Sequence, residues 1–259
     1  MTTNQLFLGK FNLASNCTVT TEYANATVNA GGYFLAGYTN ESSSILLQTV
    51  ASAIASTDPS LEYSNVTLNS TSGKVSINLS TACNVTLDAT LASIMGFSNS
   101  AYTFNTSATA NYYPRYLWMP SEAPADYPLN LDASSFWMPE STSSAGRADE
   151  GTSWSVQGNL IYGGRLEYVL LPEQEAKITN GYWRNDFQTF WQDVVHAGQP
   201  TRILPDKTSY TATSFVTGIV HKSGSETMGS FDQYAQRYMK NYNGLWNINI
   251  PLEKYVPAS

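Results

Sequence analysis

All six tryptophans and every arginine of this chain lie beyond residue 112. Up to Tyr112 there are only two basic residues, Lys10 and Lys74, and five acidic ones, Glu22, Glu41, Asp58, Glu62 and Asp88; Asn, Ser, Thr and Ala dominate the rest. From Tyr113 onward lie 11 basic and 15 acidic residues. Such a step marks a boundary near residues 108–116. It divides the 259 residues into 1–112, a small Asn/Ser/Thr-rich α+β module, and 113–259, a larger Trp-rich and mainly β domain. A chain of this length has room for one large domain or two small ones.

The pattern of apolar residues fills in the first part. Leu6–Phe11 and Cys17–Tyr23 alternate weakly and read as strands. Ala30-Gly31-Gly32-Tyr33 reads as a turn. A helix over Ile45–Ile54 keeps apolar residues at positions 46, 47, 50, 53 and 54, with Ser42, Ser43 or Ser44 as its cap. Asp58-Pro59 ends it. Leu61–Val66 and Val75–Leu79 form a hairpin around Ser70-Thr71-Ser72-Gly73, and Val85–Leu87 is a further strand. Asp88 caps a short helix Ala89–Met95 that Gly96 closes.

The second part is expected to be antiparallel and β-sandwich-like, so that the whole chain is mainly β with a few short helices. Leu117-Trp118-Met119-Pro120 is echoed by Phe136-Trp137-Met138-Pro139. The residue before each Pro is held extended, which puts a Trp near a strand end. Ser141–Gly151 reads as a loop, Trp154–Leu160 and Arg165–Leu171 as strands, and Ile161–Arg165, with its Gly163-Gly164 pair, as a hairpin turn. Trp183, Phe187, Phe190, Trp191, Val194 and Val195 make one apolar helical face, stopped by Gly198. Thr201–Leu204, Ala212–Val220 and Gly244–Pro251 are strands, with a turn at Pro205-Asp206-Lys207. In the last strand Trp246, Ile248 and Ile250 alternate with Leu245, Asn247 and Asn249, as in antiparallel edge or surface strands.

Composition excludes several functions. Charged residues are 13% of the chain, the net charge is −7 and the isoelectric point is about 4.8. A basic surface is therefore not a property of the whole chain, and nucleic acid is not expected as the main partner. The aromatic share, also 13%, builds a core and argues against disorder. No apolar run reaches about 18 residues, so no membrane span is expected. No secretory signal is visible after Met1. Eight Asn-x-Ser/Thr triplets, at Asn16, Asn25, Asn40, Asn65, Asn69, Asn78, Asn84 and Asn105, arise freely in a segment of this composition. Cys17 and Cys83 read as buried free thiols or as a pair, and the residues alone leave that open.

No constellation of residues points to catalysis. The two histidines, His196 and His221, and the two cysteines lack the close pairs that a zinc site needs. Asp126, Asp132, Glu140, Asp149 and Glu150 would have to face one cleft to act as a glycosidase pair. Asp193 and His196 lack a Gly-x-Ser-x-Gly elbow, and His196 sits where a helix dipole favours it. Neither glycine pair has the spacing that cradles a pyrophosphate. No catalytic residue, cofactor or metal is expected. Trp118, Trp137 and Trp154 are the candidate contact residues, for a protein interface or for sugar rings.

Several segments are similar to a module common in structural proteins of tailed bacteriophages. They are Gly31-Gly32-Tyr33, the Ile45–Ile54 helix, Leu61-Glu62-Tyr63, Ser72-Gly73-Lys74-Val75-Ser76-Ile77 and Thr90-Leu91-Ala92-Ser93-Ile94-Met95-Gly96-Phe97. Phe187–Gly198 with Arg202-Ile203-Leu204-Pro205-Asp206, and Gly244-Leu245-Trp246-Asn247-Ile248, resemble tail-associated proteins. The resemblance implies a non-enzymatic part of the virion, in the tail or neck, that contacts copies of itself and other virion proteins. Low charge and dense aromatics agree with such a subunit. The alternative is a carbohydrate-binding or adhesin module in which Trp118, Trp137 or Trp154 stacks on sugar. Ser141–Gly151 and Ser223–Ser230 are the loops expected to become ordered by neighbours.

Overall fold

The structure, a computed structural model, describes residues 6–37, 44–69, 72–98, 101–104, 106–119, 138–141, 144–147, 153–156, 160–172, 186–204, 216–220, 235–236 and 239–254. It is mainly β, antiparallel, with short helices, as the sequence leads one to expect.

The first half opens with strands β1 (Leu6–Leu13), β2 (Cys17–Thr21), β3 (Asn25–Val28) and β4 (Gly31–Phe34). Helix α1 (Leu46–Ala55) follows, then a 3-10 turn (Pro59–Leu61), β5 (Asn65–Leu68), β6 (Val75–Asn78) and β7 (Cys83–Leu87). Helix α2 (Ala89–Met95), β8 (Ala101–Phe104) and β9 (Ser107–Thr109) complete it. Strands β3-β2-β7-β8 form one sheet and β5-β6-β9 another. Helix α1 packs on β2, β3 and β5 and buries Leu46, Leu47, Val50, Ala53 and Ile54. Each of its larger side chains is worth about 1.5–3 kcal/mol when removed from water.

The helix caps differ in kind. Asp88 accepts from the Thr90 amide at 2.8 Å and Gly96 closes α2 in the left-handed conformation at φ 85°, both as expected. The expected serine is not the N-cap residue of α1. Its N-cap residue is Ile45, and the Leu35 carbonyl takes the Leu47 amide at 3.2 Å. Ser42 and Ser43 lie outside the described residues. The expected turn at Ala30–Tyr33 is largely strand: Gly31–Phe34 pairs with Leu13–Lys10 of β1. The strand expected from Leu61 begins at Asn65, because Asp58 first caps the 3-10 turn through the Ser60 amide at 2.8 Å. The expected hairpin is present, with Asn65 opposite Asn78.

The second half supplies β10 (Leu117–Trp118), β11 (Met138–Ser141), β12 (Ser144–Arg147), β13 (Ser153–Val156) and β14 (Leu160–Pro172). Helix α3 (Phe187–Phe190) continues as a π-helical turn (Trp191–Val195), in which the His196 amide reaches the Trp191 carbonyl at 2.7 Å. Then come β15 (Thr201–Leu204), β16 (Val216–Val220), β17 (Met239–Tyr242) and β18 (Leu245–Lys254). Two expectations are corrected here. Ser141–Gly151 is not all loop, since β12 pairs with β13. Ile161–Arg165 is not a turn but the interior of β14, whose partners are the distant β11 and β18. The last strand has the expected buried and solvent-facing sides but is no edge: β14 flanks it on one side, and β17 and β16 pair with it as well.

Strand β1 is the hub. It pairs with β4, β10 and β15, so its hydrogen bonds reach both sides of the compositional step at residue 112. Leu6 and Leu8 enter the core of the first half, while Phe7 enters a second core with Trp118, Tyr168 and Phe187. A strand covered on both faces has no polar face, which is why its alternation is weak in sequence. Gly9 lets α3 approach: a Cβ there would collide with the Val194 methyls.

Candidate interaction surface

The second core is aromatic. The Trp118 ring lies 4.8 Å from both Phe7 and Phe187, and 5.2 Å edge-on from Tyr168, by ring centroids. Trp118 is fully buried, and its indole N–H has no hydrogen-bond partner among the described residues. It therefore offers no face to a sugar or a partner from outside and serves as packing. Trp154 stands on β13 in register with Gly146. Trp137 lies outside the described residues, so the three tryptophans are not shown to share one surface.

The residues considered for catalysis are likewise not shown to share one cleft. Glu140 is on β11 opposite Ile161, and Asp126, Asp132, Asp149, Glu150 and His221 lie outside the described residues. Asp193 does not orient His196: it is held by Arg115, whose guanidinium approaches it at 3.2 Å. The His196 ring leans on Trp191 at 5.3 Å. Among the described residues no three His, Cys, Asp or Glu side chains come together as a metal-binding group. No helix among them is long and apolar enough to cross a membrane.

The cysteines are free and buried, on neighbouring strands. Val19 pairs with Leu87 and Thr21 with Val85, so Cys83 falls level with position 23, six residues from Cys17. At about 3.3 Å per residue the two are roughly 20 Å apart, beyond disulfide reach. Burial raises both thiols above their ordinary range, with Asp88 adding to the rise at Cys17. These are not activated nucleophiles.

What the structure does assemble is an uncharged polar surface. Thr18, Asn25, Thr27, Asn84 and Thr86 are exposed on β2, β3 and β7, and Asn65, Thr67, Ser107 and Thr109 on β5 and β9. The Asn78 amide donates to the Asn65 carbonyl oxygen at 3.0 Å, and Ser76 and Thr109 share a hydrogen bond at 3.1 Å. No charged residue occupies these strands. The Asn-x-Ser/Thr triplets are its signature. Residues i and i+2 of a strand share a face, so a triplet lying along a strand turns its amide and its hydroxyl to one side and its middle residue to the other. Cys17, Val66, Leu79 and Val85, the middles of four triplets, are all buried. These four triplets thus record strand alternation, not composition alone; Asn40, Asn105, and Ser70 and Thr71 of the Asn69 triplet lie outside the described residues.

Exposed large apolar side chains form a second kind of surface. Among the described residues they are Tyr23, Tyr63, Tyr242 and Leu245. Tyr242 and Leu245 pair across a hairpin whose turn, Asn243-Gly244, has φ 51° and 87°. Asn-Gly between strands is the strongest short-range hairpin signal, and the last strand, expected from Gly244, begins just after this turn at Leu245.

No family model, no curated protein and no solved structure matches the chain.

Proposed function

We propose that this chain is a non-enzymatic structural subunit of a tailed-phage virion, placed in the tail or neck and built to contact copies of itself and other virion proteins. The observation that carries the reading is the uncharged Asn/Thr/Ser face of the two sheets in the first half. A surface of neutral amides and hydroxyls loses water at less cost than a charged one and finds hydrogen-bond partners across an interface. The phage assignment itself rests on the segment resemblance. The test is the mass of the purified chain by light scattering after size exclusion, with negative-stain images of the same peak. Rings, tubes or defined oligomers are the expected result. Absence of the chain from purified particles by mass spectrometry would overturn the virion reading.

A carbohydrate-binding module is the second reading, favoured by the same amide and hydroxyl chemistry, which also suits sugar hydroxyls. Trp118 is too deep to take part, so Trp137 and Trp154 are its remaining rings. A glycan array checks it: binding lost on Trp154→Ala sustains this reading, and no binding to any glycan removes it.

A further inference from the structure

Among the described residues, the four exposed large apolar side chains fall in two places of opposite charge. Tyr63, 82% exposed, and Tyr23, 46% exposed, flank the 3-10 turn Pro59–Leu61. The Tyr23 phenol lies beside Ser60 and the Asp58 carboxylate, and Glu22 and Glu62 immediately precede the two tyrosines. The only two basic residues of the first half are elsewhere: Lys10 lies against Gly32, and Lys74 donates to the Asn111 carbonyl at 2.9 Å. Carboxylates thus border the two rings, and neither lysine of the first half lies beside them.

The other place is the β17–β18 hairpin. Tyr242 is paired with Leu245, and Lys240 with Asn247 two positions along. With a strand period of two, all four share one face, on which Tyr242 is 50% and Leu245 39% exposed. The opposite face, with Met239, Trp246 and Ile248, is buried in the aromatic core. The hairpin is therefore a plate fixed from behind, carrying an amine beside apolar surface. Both patches are exposed, so neither covers the other within one chain.

We infer that the β17–β18 hairpin of one copy docks on the Tyr23–Tyr63 patch of the next, apolar surface on ring faces and the Lys240 ammonium on the flanking carboxylates. The contact uses two different patches, so it is head-to-tail and propagates into a ring or an open filament according to the rotation between copies. The inference rests on the reading of the chain as a self-assembling subunit.

Light scattering of the full chain over a range of concentrations tests it, with Glu62→Lys, Lys240→Glu, the two combined, and Tyr63→Ser. Each charge reversal is expected to weaken self-association several-fold, and the combined reversal to restore it. Tyr63→Ser is expected to raise the dissociation constant about tenfold, as loss of an interface anchor does. Added salt weakens the native contact. The altered positions are exposed, so thermal unfolding stays unchanged and reports that each variant is folded. A wild-type chain that remains monomeric throughout, reversals without effect, or a combined reversal no better than the single ones would each overturn the docking. Detection of the chain in purified particles tests the virion reading separately: a chain present there with silent reversals overturns the docking alone.

Discussion

Gly9 and Asp186 show how single positions govern the second core. Gly9 sets the separation between β1 and the π-helical turn, because any Cβ there meets Val194. Gly9→Ala is therefore expected to cost about 1–3 kcal/mol as overpacking, read as a lower urea midpoint with an unchanged slope. Asp186 is buried at the start of α3, where it accepts from the Thr189 amide at 2.8 Å and from the Thr189 hydroxyl at 3.0 Å. Burial raises its carboxyl above the usual range, and these hydrogen bonds only partly oppose the rise. A raised acid is more easily protonated folded than unfolded. Its contribution is fully present below the unfolded value, about 3.9, and is lost as pH rises through the folded one. Asp186→Asn keeps an acceptor at the cap and removes the charge. The variant's melting temperature is expected to gain on the wild type as pH rises from the unfolded value through the folded one, and to keep that gain above it. A constant difference between the two would count against a buried ionising Asp186. Neither effect is legible in the sequence: Gly9 sits in an ordinary strand pattern, and only the helix packed against it shows that a side chain has no room.

Elements were legible where the pattern of a segment is local. The α2 helix, its Asp88 cap and its Gly96 stop follow from side chains next to one another in the chain. The buried stripe Phe187, Phe190, Trp191, Val194 and Val195 was readable from spacing alone, although the shift to a π-helical turn was not. Failures came where the deciding partner is distant. The Leu47 amide at the start of α1 is taken by the Leu35 carbonyl, and Gly163-Gly164 is held straight by β11 and β18. The polar surface was hidden for another reason, because the Asn-x-Ser/Thr triplets looked like composition until strand register showed what they share. Register also decides the cysteines. The native chain is expected to leave a thiol reagent unreacted and to show two free thiols in urea without reductant. A single peptide carrying a Cys17–Cys83 link after digestion would contradict the pairing of β2 with β7.

Viewed as a whole molecule, β1 belongs to two cores at once. Its bonds to β15 join Leu6 to Leu204, about three quarters of the chain apart, and contacts of such separation slow folding. A fragment of residues 1–112 would lose β10 and β15 from the Leu6–Gly9 segment and expose Phe7. Such an uncovered apolar edge is prone to pair with other chains. The fragment is expected to aggregate or to unfold at lower urea than the full chain, and addition of residues 113–259 to recover solubility. A monomeric fragment as stable as the full chain would show that the second core contributes little to the first. The position of β1 also has a mechanical meaning. A pull along this strand is met by ladders on both of its sides, so its bonds are loaded together in shear instead of parting one by one. Tension entering through either half is handed across β1 to the other, and the two cores stretch as a single body.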